Sequence, residues 1–141
     1  MATKFSVKEQ VEALNRHDAE AFAAFYTPDA LIHDPQYPEP LKGRDAIRKD
    51  IADFLAAFPD LNFTLKTAVE SGDTVAFEGA GKGTHKGPMA SPAGEIPATN
   101  RPMEVRFAAF LRVNRQGLIA EERRYFDMAG MMQQLGLMQV A

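Results

Sequence analysis

The apolar residues of this chain follow a helical period in its first part and again near its end. They recur every three or four positions there, and residues that commonly cap helices begin two of these stretches. Pro28 and Asp29 are expected to end the second of them. The elements predicted from this pattern are helices over 6–15, 18–26, 45–58 and 128–135, and one short strand over 30–34.

Apolar and polar residues alternate in most of the chain after residue 62, which is the period of a strand. Short segments rich in glycine, asparagine and aspartate predict the turns between these strands. Proline-rich and glycine-rich segments predict longer loops over 36–44 and 86–100. The predicted strands cover 63–67, 74–85, 103–113 and 119–127.

Helices gathered on one side of an antiparallel sheet define an α+β domain. Gly79, Gly81 and Gly83 alternate along one predicted strand, where glycine permits strong bending. We therefore predict one domain over residues 1–141, in which a cone-shaped, strongly curved antiparallel sheet wraps around the N-terminal helices. The interior of such a cone suits a small ligand.

The composition of the chain limits which binding partners and which cellular compartment are expected. The net charge of −3 has no basic block, so neither nucleic acid nor an anionic membrane surface is an expected partner. The chain has no cysteine, which excludes disulfides and thiol nucleophiles and fits a reducing cytoplasm. The N-terminus lacks the apolar stretch of a signal peptide, and no apolar run is long enough for a membrane span. A cytoplasmic protein is expected.

Familiar catalytic motifs do not match. The segment GAGKGT (79–84) fits neither a phosphate-binding loop nor a dinucleotide fingerprint, and it lies in a predicted strand. No serine stands in a G-x-S-x-G elbow. The three histidines lack metal-ligand spacing, so no metal site is predicted. Any chemistry is expected to run on acid–base side chains in a cavity, without a cofactor.

The segment EERRYFD (121–127) places five charges in a predicted strand. Strand side chains alternate between faces, so one face of this strand has to meet water, a cavity or a partner. The strand before it has one apolar face and one charged face, and the apolar face is expected inside. One face of the segment carries Glu121, Arg123, Tyr125 and Asp127, and the other carries Glu122, Arg124 and Phe126.

A candidate site follows from this alternation. Glu122 and Arg124 are expected to form an ion pair at the cavity. His33, at the end of a short strand, is expected near the cavity mouth, and His85, at the exit of another, is a candidate for ligand contact. The outer face of the strand, which carries Arg123 and Tyr125, is expected to form a subunit contact, because Arg and Tyr are enriched at interfaces. The apolar interior is predicted to include Phe107, Ala109 and Phe126.

The chain resembles the SnoaL-like polyketide cyclase family of the nuclear-transport-factor-2-like superfamily. The resemblance rests on five segments, and it is most specific in the last, where a Y-x-D pattern precedes a helix that ends in Q-L-G. The segments are NRHDAEAFAAFYTPDALIHDP (15–35), LKGRDAIRKDIADFLAAFPDL (41–61), GTHKG (83–87), IPATNRP (96–102) and GLIAEERRYFDMAGMMQQLGL (117–137).

The resemblance implies a cone-shaped α+β barrel, a homodimer or homotetramer, and cofactor-free aldol condensation of polyketide esters. It places the family's acid–base aspartate at Arg124, its histidine near Ala109 and its asparagine at His33. An arginine cannot accept a proton at neutral pH, which argues against the aspartate-driven mechanism here.

Three hypotheses remain for the function. In the first, the protein is an acid–base enzyme for a small carbonyl-bearing or aromatic substrate, with Glu122 or His33 as acid or base and Arg124 stabilising an enolate or carboxylate. In the second, the same cone is a non-catalytic binding module for a small molecule. In the third, the chain is a structural subunit with a filled core, which predicts no cavity.

Overall fold

A computed structural model describes residues 5–91 and 93–138 of the chain. Three of the helices lie in the first part of the chain, the long strands follow them, and a short helix comes last. The helices are α1 (Val7–Asn15), α2 (Ala19–Ala23), α3 (Arg44–Ala57) and α4 (Met128–Gln134). The strands are β1 (Tyr26–His33), β2 (Leu41–Lys42), β3 (Asn62–Ser71), β4 (Thr74–Thr84), β5 (Met89–Ser91), β6 (Gly94–Ile96), β7 (Pro102–Val113) and β8 (Ile119–Phe126).

Side-chain caps begin three of the four helices. Ser6, Asp18 and Asp127 each accept a hydrogen bond from the backbone N–H three residues later, at 3.2, 2.9 and 2.8 Å. Such a bond satisfies one of the N–H groups that a helix start leaves unpaired. These caps fix where the chain enters α1, α2 and α4.

The main sheet has the order β2-β1-β8-β7-β4-β3, and β5 and β6 form a separate hairpin. Neighbours in the main sheet are antiparallel except β1 and β8, which are parallel. The register shifts in three of the pairings, and such irregularities bend a sheet. The predicted α+β class, with a large curved sheet and N-terminal helices, is confirmed.

The start of β1 corrects the predicted second helix. This helix ends at Ala23, and Pro28 and Asp29 lie inside β1. The pairing of β1 with β8 is interrupted between Tyr26 and Leu31, so this stretch needs no regular ladder and tolerates the proline. The two predicted loops also contain short strands, β2 in the first and the β5–β6 hairpin in the second.

The predicted strand faces are confirmed. On β7, Ala109 and Leu111 are buried, while the residues between and beside them are half-buried or exposed. On β8, Glu122 and Arg124 point inward, and they lie opposite Leu111 and Ala109 of β7. The helices and this inner face share one hydrophobic core, which extends from Phe5 to Leu135.

A glycine on β4 lets an aromatic ring reach the inner face of the sheet. A Cβ at Gly79 would lie 2.3 Å from the Thr64 carbonyl oxygen and 2.6 Å from the ring of Phe63. Only glycine leaves this space. The glycine-rich segment of β4 therefore serves packing around the cavity.

Candidate functional site

A partly open cavity of about 140 Å³ lies between the helices and the inner face of the sheet. Its wall is mostly apolar, and residues of α1, α2, α3, α4 and five strands contribute to it. The hypothesis of a filled core is therefore wrong. Six phenylalanines make the largest apolar contribution: Phe22, Phe54, Phe63, Phe77, Phe107 and Phe126.

The aromatic rings of this wall support one another. The ring of Phe107 stacks on Phe126 with centroids 5.9 Å apart, and it meets the rings of Phe63 and Phe77 at 6.1 and 6.0 Å. Aromatic pairs at such separations add to the stability gained by burial alone. The wall is thus a packed surface that suits a flat or cyclic apolar ligand.

A buried ion pair lies in the same cavity. Arg124 donates from Nε to Oε2 of Glu122 at 2.5 Å. The other oxygen of Glu122 accepts a hydrogen bond from the Tyr26 hydroxyl at 2.6 Å. All three residues line the cavity, and each is at most 8% exposed. The expected pairing of Glu122 with Arg124 is confirmed.

Two further carboxylates meet the same guanidinium. Arg124 Nη1 donates to Asp34 Oδ2 at 3.0 Å and lies 3.5 Å from Asp50 Oδ2. The second oxygen of Asp34 accepts from the backbone N–H of Gln36 at 2.8 Å, and that of Asp50 accepts from the Tyr37 hydroxyl at 2.6 Å. Strand β8, helix α3 and the residue that directly follows β1 thus bring three acidic side chains around one arginine.

The electrostatics of this carboxylate cluster (Asp34, Asp50, Glu122 and Arg124) are unbalanced. One positive charge faces three carboxylates, whose side chains are between 4% and 9% exposed. Burial alone would lower the pKa of Arg124, but the negative charges around it, Glu122 first, raise that pKa well above its ordinary value. The guanidinium therefore stays charged at every physiological pH.

Asp50 binds its proton more tightly than an ordinary aspartate. Burial raises its pKa above the ordinary value for aspartate, although the Arg124 charge and the Tyr37 hydroxyl act in the opposite direction. The pKa of Tyr37 is also raised, by burial and then by its hydrogen bond to Asp50. A buried carboxyl in a cavity that binds its proton more tightly than usual is a candidate for general acid–base chemistry.

The structure brings only some of the predicted site residues together. Phe107 and Phe126 line the cavity beside Glu122 and Arg124. Ala109 is fully buried behind this wall, directly opposite Arg124 in the sheet. These are positions only, and a role of these residues in ligand binding stays a prediction.

His33 lies on the outer face of the sheet, outside the cavity lining. Its side chain is 44% exposed and lies 3.1 Å from Glu121, on the face of the sheet opposite to Glu122. It contributes to a neighbouring groove that shares Asp34, Arg124 and Phe126 with the cavity, and it is not among the residues that line the cavity itself. The strand parity explains this, because its neighbour Asp34 takes the inward position.

His85 is also outside the cavity lining. It is fully buried, its ring stacks on Phe58 with centroids 5.3 Å apart, and its Nδ1 accepts a hydrogen bond from the Thr99 N–H at 3.2 Å. Burial lowers its pKa. These contacts anchor the 86–100 segment to the core.

Sequence reasoning missed two acidic residues of the site, Asp34 directly after β1 and Asp50 on α3. Asp50 follows Ile47 by three positions and precedes Phe54 by four, so it belongs to the apolar face of α3. An acidic residue on the apolar face of a helix is the sequence signal that could have identified Asp50 as a site residue. Asp34 stands two residues after the buried Ile32 and shares its inward parity. Among the described residues no group of three or more acidic or histidine side chains is arranged to hold a metal ion.

Comparisons with known proteins identify the family and the fold. The sequence model of the SnoaL-like polyketide cyclase family matches residues 6–135, so the chain belongs to this family. No curated protein sequence matches the chain. Among the residues described, no helix has the length and apolarity that crossing a membrane requires.

Solved structures share the fold over nearly the whole chain. IdmH of Streptomyces antibioticus, described as "a putative polyketide cyclase", is 30% identical, with a TM-score of 0.73 and coverage of 92% of this chain and 95% of its own. TsrD of Streptomyces laurentii is 24% identical, with a TM-score of 0.77 and coverage of 94% and 96%. A Catenulispora acidiphila protein with a ketosteroid isomerase-like fold, solved with trimethylamine, is 23% identical, with a TM-score of 0.76 and coverage of 94% and 92%.

Proposed function

We propose that this protein is a cofactor-independent acid–base catalyst that closes a ring in a small carbonyl compound held in the cavity. The observation that carries this proposal is the arrangement of Asp50. This carboxyl lines an aromatic cavity, is 9% exposed and binds its proton more tightly than an ordinary aspartate. Groups with these properties in a cleft are typical of catalytic acids and bases.

Asp50 is the least constrained carboxylate of the cluster. Both oxygens of Glu122 are held by short hydrogen bonds, from Tyr26 and Arg124. Both oxygens of Asp34 are held at 3.0 Å or less. Asp50 has one oxygen held by Tyr37, whereas its other oxygen has only a 3.5 Å contact with Arg124. That oxygen can reach a ligand without first losing a strong bond.

The proposed reaction is an intramolecular aldol closure. The Asp50 carboxylate removes a proton from the carbon next to a carbonyl, and the electron pair of the broken C–H bond forms an enolate. The enolate carbon attacks a second carbonyl of the same molecule, so that one C–C bond forms. Asp50 then returns its proton to the new alkoxide oxygen, and the product is an isomer of the substrate. The Arg124 charge favours the negative charge that develops in the cavity.

Membership of the SnoaL-like polyketide cyclase family supports this class of reaction. The similar structure IdmH is described as "a putative polyketide cyclase". The proposal differs from the reaction that the family resemblance implies in the position of the acid–base group. Arg124 stands on the last strand where an aspartate was expected, and Asp50 on α3 presents a carboxyl to the same cavity. The acid–base group is thus supplied from the helix side.

Deuterium exchange of 2-indanone tests this function without knowledge of the natural substrate. This compact ketone has acidic protons on both carbons next to its carbonyl. In D₂O the wild type should accelerate their exchange, and Asp50→Asn should reduce the acceleration about 100-fold or more, as expected for loss of a general base. Asp53→Asn is the matched control, because Asp53 is 51% exposed on the same helix and pairs with Lys49. Equal acceleration by Asp50→Asn would overturn the proposal.

A non-catalytic binding module is the second candidate function. It is favoured because Arg124 and Ala109 stand at the positions where the family resemblance implies an acid–base aspartate and a histidine. This candidate predicts that 2-indanone binds in the cavity and that its exchange is no faster than in buffer. The exchange experiment therefore separates the two candidates.

We also infer that the protein is a homodimer or homotetramer formed through the outer face of β7 and β8. Phe110 and Tyr125 are 42% and 54% exposed there, and their rings meet edge to face at 6.2 Å. The guanidinium of Arg123 lies 5.6 Å from the centre of the Phe110 ring. Exposed aromatic residues grouped with arginine are typical of subunit contacts.

A further inference from the structure

A polar side chain outside the carboxylate cluster also lines the cavity. Gln10 on α1 is 4% exposed, and its Nε2 has no hydrogen-bond partner within residues 5–91 and 93–138. Its neighbours on the cavity wall, Val11 and Leu14, are apolar. An amide N–H that is buried without an acceptor is destabilising, and buried polar groups are normally paired. The position of Gln10 therefore points to an acceptor that comes from a ligand.

The neighbouring Tyr26 fixes which end of the amide is available. Burial is the main cause of the raised pKa of Tyr26, and Gln10 acts against it, as an N–H near the phenol oxygen does. Tyr26 donates its only proton to Glu122, so its oxygen can only accept. The Nε2 of Gln10 carries two protons, and the Tyr26 oxygen takes at most one of them. One N–H therefore remains for a ligand.

We propose that Gln10 is a specificity-determining residue that donates a hydrogen bond to a carbonyl oxygen of the ligand at the α1 side of the cavity. The inference rests on the proposed function only in that a ligand occupies this cavity, and it does not require Asp50 to act as a base. The ligand class that follows is a compact, largely apolar ring compound with a carbonyl group. A hydrocarbon of the same shape leaves the amide unpaired and is rejected.

The matched probes 2-indanone and indane differ only in that a carbonyl replaces a methylene group. Their affinities for the wild-type protein can be compared by titration followed in ¹H–¹⁵N NMR spectra. The wild type should bind 2-indanone about tenfold more tightly than indane, as one net hydrogen bond predicts. The side-chain amide resonances of Gln10 should shift with 2-indanone and remain nearly unchanged with indane.

Gln10→Met is the test variant, because methionine has a similar length and shape and no hydrogen-bond donor. It should reduce the preference for 2-indanone to within about twofold by weakening that ligand alone. Its melting temperature should equal or exceed that of the wild type, since an unpaired buried amide is removed. A residue that served only the fold would lower the melting temperature instead.

Val11→Ala is the control, because it changes the apolar wall of the same helix without removing a donor. It should weaken both probes to a similar extent. If Gln10→Met keeps the wild-type preference, or weakens both probes equally, the role of Gln10 is overturned while the cavity remains a ligand site. If neither probe binds the wild type, the cavity is not a site for this ligand class, and both this inference and the proposed function fail.

Discussion

Arg124 and Glu122, two residues apart on the inner face of β8, form a buried ion pair with an Nε–Oε2 distance of 2.5 Å. The pair is the centre of a larger set, because Arg124 also holds Asp34 and Asp50. Such a set is costly to break, since removal of one charge leaves others buried without a partner. The stability of the protein and the chemistry of the cavity therefore depend on the same residues.

Glu122→Ala should destabilise the protein strongly. The substitution removes the carboxylate that pairs with Arg124 and accepts the Tyr26 hydroxyl, and loss of one partner of a buried pair costs about 3–5 kcal/mol of unfolding free energy. Glu121→Ala is the control, because Glu121 lies on the outer face with His33 and should change stability by about 1 kcal/mol or less. Urea denaturation measures the unfolding free energy of both variants. An equal loss in the two would mean that Glu122 is exposed to solvent.

The double variant Glu122→Ala/Arg124→Leu should not recover this loss. The sequence indicates an isolated pair, whose joint removal would restore some stability. The structure adds Asp34 and Asp50, which would be left without their arginine. Without Arg124 the pKa of Asp50, which burial raises, would lose a charge that opposes this rise, so the double variant should become more stable as the pH falls from 7 to 5. Denaturation at both pH values checks this, and recovery at pH 7 would contradict it.

Asp50→Asn should increase stability at neutral pH. Burial raises the pKa of Asp50 in the folded protein, so the folded state binds this proton more tightly than the unfolded state does. The free energy of unfolding therefore falls as the pH rises from the unfolded pKa, about 3.9, through the raised folded value. Asparagine does not ionise and avoids this loss. Melting temperatures should favour the variant at pH 7 and converge toward pH 4; a variant that is less stable at pH 7 would contradict the account.

The outer face of β7 and β8 should hold the subunits together. Light scattering should give at least twice the 15.5 kDa of one chain at micromolar concentration. Phe110→Asp should shift the protein toward the monomer, because it puts a charge into an apolar contact. Val69→Asp changes a 58% exposed residue on β3 and should leave the assembly intact. A wild-type monomer would rule out the interface.

Much of this fold can be predicted because its long elements have clear periods. The stripe of Ile47, Ile51 and Leu55 predicts α3, and alternation along β7 and β8 predicts both the strands and their inner faces. The start of β1 could not be found in this way. Pro28 there resembles a helix stop, and only the tertiary pairing of β1 with β8 shows that the chain is already extended.

The candidate site was predictable only along single strands. Parity alone places Glu122, Arg124 and Phe126 on one face, because the three residues lie in one element. Asp34 directly follows β1 and Asp50 lies on α3, and nothing local shows that both meet Arg124. Gln10 was missed for the same reason, since a single glutamine on a short helix is an ordinary surface residue until the sheet closes over it.

The pH dependence of 2-indanone exchange tests the central claim, that Asp50 is the base of the cavity, most directly. The ionised carboxylate is the active form, and burial raises its pKa. The rate with the wild type should therefore rise with pH through an inflection above the ordinary pKa of aspartate and then level, whereas Asp50→Asn should lack the inflection and stay near the rate in buffer. A wild-type profile that matches that of Asp50→Asn would contradict the account.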